Sequence, residues 1–174
     1  MTALNSRMDA TSGARTLLPA DQVHTWSLAH AVVEAARKVD DTLLVSQTKV
    51  TSELGAKRLL ALLAFCYARQ IYGSIEIAAR LRYDECLRGL CDEFVPDPET
   101  IRQFRSHNRP ALDFCLQAAL HFQAQEKVAQ GLLAKVSEER VAEEAHRRIT
   151  MAMFTDSMDL DGDNEPCHLL SFAC

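Results

Sequence analysis

Apolar positions recur at intervals of three and four along most of this chain, and short polar breaks divide them into helical segments. Pro19 followed by Asp21 marks a helix entry, and Val23, Trp26, Leu28, Ala29, Val32, Val33 and Ala36 carry one face as far as Val39. The polar stretch DDTLLVSQTKVTSEL (40–54) reads as a connector, and Gly55 lets the chain turn into a second helix. There Leu59, Leu60, Leu62, Leu63 and Tyr67 are apolar nearly all round, the mark of a helix at the centre of its domain. Tyr72-Gly73-Ser74 ends it, with Ser74 expected as the N-cap of a short helix, IEIAARLR. A second short helix, DECLRGL, is expected to end near Gly89 or Cys91.

The next start signal is the strongest. Asp97 suits capping, Pro98 suits the first helical position, and Glu99 favours the positive end of the helix dipole. In the helix that follows, Ile101 and Phe104 share one face, while Arg102, Arg105, Ser106 and Arg109 form a stripe at i, i+3, i+4, i+7. Pro110 disfavours helical geometry at Arg109 and can begin the next helix. From Pro110 to Met153 the pattern predicts one long helix, or two broken near Gly131, with a spacing suited to packing on the domain or on a second copy. The fold class expected is all-α: a compact domain of five to seven helices containing a helix-turn-helix-like array, then a long C-terminal helix. Residues 1–16 read as a flexible arm, 17–120 as the helical domain, 121–153 as a long helix and candidate dimerisation element, and 154–174 as an acidic tail with little fixed structure.

Composition supports one helical domain: 174 residues, 48% hydrophobic, six glycines and five prolines. The net charge of −5 is unevenly spread. Residues 57–109 hold nine Lys/Arg against seven Asp/Glu, whereas residues 111–174 hold five against eleven. The acidity therefore belongs to the C-terminal third, and the small positive excess before it is a faint footprint for phosphate binding. The first residues lack a continuous apolar signal segment, and the longest apolar run, LLALLAFCYA, is shorter than the ~20 residues a membrane span needs, so a cytoplasmic address with no membrane partner is expected. Six cysteines, at 66, 86, 91, 115, 167 and 174, form no CxxC pair and read as reduced thiols on helix faces. The run DLDGDNE (159–165) lacks the Gly and Glu offsets of a calcium loop and reads as solvated tail. No catalytic or phosphate-loop motif occurs, and Glu143, Glu144 and His146 read as exposed helix neighbours. Neither a cofactor nor a metal is expected.

An apolar helix ending in Gly-Ser with Ile and Glu after it, then a Pro-Asp-Pro-Glu-Thr-Ile element, then Phe104-Arg105 leading into Asn108-Arg109, is an ordered set. This set resembles the N-terminal domain of bacterial insertion-sequence transposases of the InsH-like type. The resemblance begins near Leu17 with an opening Pro-x-Asp helix and runs to about Leu120, three fifths of the chain. It departs from the family pattern at Pro98, where His is usual, and at Glu99, where Ser is usual; the Glu adds repulsion near a phosphate.

Family members of this kind continue into an RNase H-like domain whose three acidic residues hold two metals. A domain takes ~100–200 residues, so that catalytic domain is expected to be absent and the protein not to be an enzyme. The resemblance implies recognition of terminal inverted repeats in double-stranded DNA, or regulation of a transposase. Arg102, Gln103, Arg105, Ser106, Asn108 and Arg109 are the candidate contacts: arginine suits guanine O6 and N7 or phosphate, and Gln or Asn suits adenine. A homodimer or a separate catalytic transposase subunit is the implied protein partner. The residues alone also read as an ordinary solvated stripe on a helical interaction or dimerisation module that binds no DNA.

Overall fold

The computed structural model describes residues 20–44, 53–92 and 95–162. Among these residues there are seven α-helices, one 3-10 turn and no strand: α1 (Ala20–Lys38), a 3-10 turn (Asp41–Leu43), α2 (Glu53–Ala68), α3 (Ser74–Arg80), α4 (Glu85–Cys91), α5 (Pro98–His107), α6 (Arg109–Ala129) and α7 (Glu138–Gly162). The all-α reading holds. The expected N-terminal arm lies outside the described residues, as does most of the connector after the 3-10 turn.

The helix that is apolar all round is the axis of the fold. Every residue of α2 from Leu59 to Ala68 is buried, because α1, α4, α6 and α7 all pack against it. Full burial of a leucine side chain contributes about 1.5–3 kcal/mol. The end of α2 shows how its free carbonyls are satisfied. Gln70 takes a left-handed conformation (φ 63) and the Ile71 N–H donates to the Cys66 carbonyl at 2.9 Å. The Arg148 guanidinium then reaches over from α7 and donates to the Tyr67 and Ala68 carbonyls at 2.9 and 2.7 Å.

The short helices start as their caps dictate. Asp84 accepts from the Cys86 and Leu87 N–H groups at the head of α4, and Asp97 accepts from Thr100 N–H at 2.6 Å with Pro98 leading α5. Ser74 differs from expectation. Gly73 occupies the N-cap of α3 and Ser74 is its first residue, buried, with its hydroxyl turned to Arg102 instead of to α3. The reason is α7: a Cβ on Gly73 would lie 3.3 Å from Thr155 Cγ2, so the turn must pass close beneath that helix, and Asp156 takes the Ser74 N–H at 2.7 Å.

The C-terminal half brings one agreement and one correction. The segment after Pro110 is two helices broken near Gly131, one of the two forms its pattern allowed. It breaks after Ala129, with Gly131 at φ 73 and the Leu132 N–H returning to the Lys127 carbonyl at 2.8 Å, and α7 folds back on α6. The expected tail from 154 is wrong as far as 162: α7 continues to Gly162, with Ala152 and Asp156 buried against the domain. Residues 163–174 lie outside the described residues.

Candidate nucleic-acid interface on the fifth helix

α5 packs across α3, while α4 packs on α1 and α2. Thr100, Ile101 and Phe104 anchor the inner face of α5 in the core, leaving Glu99, Gln103, Ser106 and His107 exposed and Arg102 half-buried. The six candidate DNA contacts divide between these faces.

Arg105 corrects the expected arginine stripe. It is 4% exposed, and its guanidinium donates to Asp156 Oδ2 at 2.5 Å and to the Tyr67 hydroxyl at 3.0 Å. The other oxygen of Asp156 holds the Ser74 N–H. Burial works against the charge on Arg105, but Tyr67 and Asp156 outweigh it and hold the group above its ordinary pKa. Burial pushes the Tyr67 phenol up to about 12, with Arg105 opposing, so the phenol stays protonated. Spacing could not show this inward turn. Arg105 lies at the border of the two faces, and the carboxylate that draws it in comes from 51 residues later.

Asn108 is also internal. It is fully buried, and both its side-chain amide and its backbone N–H donate to the Phe104 carbonyl, closing α5 before α6 begins. Phe104, Arg105 and Asn108, three of the residues that carry the family resemblance, thus serve the architecture directly.

The outer face keeps Arg102, Gln103 and Ser106. Glu99 occupies two of them: one of its oxygens accepts from Arg102 Nε and Nη2 at 3.1 and 2.9 Å, and the other accepts from the Gln103 amide at 2.6 Å. These hydrogen bonds, Arg102 first and Gln103 second, hold the Glu99 carboxyl below its ordinary pKa. Arg102 also donates to the Ser74 hydroxyl at 3.0 Å. The Ser106 hydroxyl donates to the Gln103 carbonyl at 2.8 Å. Arg109, half-exposed at the first position of α6, makes no ion pair among the described residues. Of the six candidate contacts, Arg102, Gln103, Ser106 and Arg109 thus remain at least partly open to solvent, with Glu99 bonded to the first two.

Sequence reading missed Asp156, Tyr67 and Arg148. Asp156 was hidden inside an acidic segment, and Arg148 among charges with ordinary helix spacing. Among the described residues no group of three or more His, Cys, Asp or Glu could hold a metal ion. No described helix is long and apolar enough to cross a membrane. Compared with protein-family models, curated proteins and solved structures, the chain has no match.

Proposed function

We propose that this chain is a DNA-binding domain acting in transposition, either recognising the terminal inverted repeats of an element or regulating a transposase, with no catalysis of its own. The observation that carries the reading is the two-faced α5. Its inner face is fastened by Phe104, Arg105 and Asn108, so Arg102, Gln103 and Ser106 stand on a rigid outer face, with Arg109 following at the head of α6. A rigidly held helix with Arg, Gln and Ser at i, i+1 and i+4 has the chemistry to address phosphates and base edges in a major groove, in the manner of a helix-turn-helix reader. The resemblance of residues 17–120 to transposase N-terminal domains supports the same surface.

Glu99 sets the strength of such binding. Arg102 and Gln103 must exchange its carboxylate for phosphate or base, so nonspecific affinity is expected to be modest at physiological salt. Electrophoretic mobility with a pool of random-sequence duplexes across a salt series tests the proposal. Affinity is expected to fall steeply with salt, Arg102→Ala to lower it with a salt slope smaller by about 1, and Glu99→Gln to raise it. No binding to any duplex at low salt overturns the proposal.

A further inference from the structure

We infer that the cleft where α6 turns back into α7 binds a small phosphorylated molecule, its phosphate held by Arg148 from below and by Lys127, Lys135 and Arg140 at the rim. The turn gathers these four cations from α6, from the link after Gly131 and from α7. They line a cavity of about 310 Å³, and a neighbouring one of about 420 Å³ meets it at Gln123, Lys127 and Arg148. Arg148 is the fixed part of the site. Its side chain is nine-tenths buried, Nε donates to Glu144 Oε1 at 2.6 Å, and Nη1 donates to the two carbonyls at the end of α2. Nη2 donates to no described residue, yet no described side-chain polar atom is sealed from solvent without a partner. The free N–H groups of an immobilised guanidinium therefore open into the cleft, where they suit the oxygens of a phosphate.

Charge sets the sign of the ligand. Lys127, Lys135 and Arg140 make no ion pair among the described residues, so their positive potential is concentrated in one concave site. Glu144 is the one carboxylate in the lining, and its charge is already divided between Arg147 and Arg148. The neighbouring cavity carries Glu126, held by His24 at 3.2 Å, which places the phosphate in the first cavity. Volume and lining set the rest. A cavity of about 310 Å³ is at the small end of ligand sites, and Leu133 and Val141 in its wall suit a small apolar group on the ester. The rim is preformed, since the Gly131 and Leu132 N–H groups donate to the Val128 and Lys127 carbonyls at 3.0 and 2.8 Å and fix the link. Lys127 lies ~27 Å along α6 from Arg109, so the cleft is separate from the outer face of α5 and this inference does not rest on the DNA-binding reading.

Isothermal titration of the full chain with phenyl phosphate in low-salt buffer tests the site. Saturable binding with a dissociation constant on the order of 100 μM is expected, with about tenfold weaker binding of inorganic phosphate and none of phenol. Arg148 also holds the end of α2, so the exposed rim is varied instead. Lys135→Ala and Arg140→Ala are each expected to weaken phenyl phosphate about fivefold with an unchanged circular dichroism melt. Arg82→Ala, which removes an exposed arginine outside the cleft, is expected to leave the affinity unchanged. A random-sequence duplex is expected not to displace phenyl phosphate. No saturable heat up to about 10 mM, a hundred times the expected constant, overturns the inference. A Lys135→Ala, Arg140→Ala double variant that binds like the wild type overturns it too, as does a loss in Arg82→Ala as large as theirs. Displacement by the duplex overturns the assignment to a small molecule and gives the cleft to a nucleic-acid backbone.

Discussion

Arg102 and Arg105 stand one turn apart on the same helix, and each holds a carboxylate, yet the two ion pairs do different work. Arg102 meets Glu99 from its own helix, three residues before, and that carboxylate is half-exposed to water. Arg105 meets Asp156, 51 residues later in the chain, with both side chains nearly excluded from solvent. An exposed local pair is screened and worth little, whereas a buried pair commits the protein to keeping both partners, because either alone is an uncompensated charge. Residue type and spacing therefore do not separate an available arginine from a structural one; the origin of its partner does.

The comparison is broken most severely at the buried pair. Asp156→Ala, which strands Arg105 and the Ser74 N–H, is expected to cost about 3–5 kcal/mol in urea unfolding, whereas Arg105→Met with Asp156→Leu should recover much of that loss. Equal losses in the single and double variants would show that the pair's attraction, rather than stranding, dominates. Next is the partly buried pairing on α7. Hydrogen bonds from Arg147, with Arg148 adding to them and partial burial opposing, hold the Glu144 carboxyl down to about 2. Its folded pKa lies below the ordinary 4.5, so its contribution is present above about pH 4.5 and lost as pH falls toward 2. Acid unfolding of Glu144→Gln should show a shallower fall in that window than the wild type.

A local cap should matter less. Asp97→Ala removes the bond to Thr100 N–H and is expected to cost about 1 kcal/mol, read as a shift in urea midpoint at constant slope. The smallest effect is expected at the exposed partner of the local pair. Glu99→Gln, which leaves the Arg102 bond to the buried Ser74 hydroxyl in place, should leave the urea midpoint nearly unchanged while strengthening DNA binding, the reverse of the Asp156 variant's profile. A loss of stability as large as that of Asp156→Ala would place the Glu99–Arg102 pair on the structural side.

Local chemistry was the legible part of the fold. The buried α2, the Asp97-Pro98 start, the ending of α4 at Cys91 and the break near Gly131 each follow from a few neighbouring residues, because caps, glycine geometry and helical periodicity act within one or two turns. The orientation of the candidate contacts was half legible. Gln103 and Ser106 face out as the spacing indicated, but Arg105 and Asn108 turn inward. Ser74 was misread for the same reason as Arg105: the groups that direct them lie on other elements, Arg102 for the Ser74 hydroxyl and Asp156 for its N–H.

The sequence by itself determined that this protein is helical, where most of its helices begin and end, and which helix lies at the centre, since those properties depend on the order of apolar residues and on short-range capping. Only the tertiary structure decided that α7 folds back to place Asp156 beside Arg105, that Glu99 is left holding Arg102 and Gln103, and that Met151, Phe154 and Met158 remain uncovered. Those outcomes depend on how far water is excluded from each charge and each apolar side chain, and exclusion is set by helices that meet in space across long separations of chain.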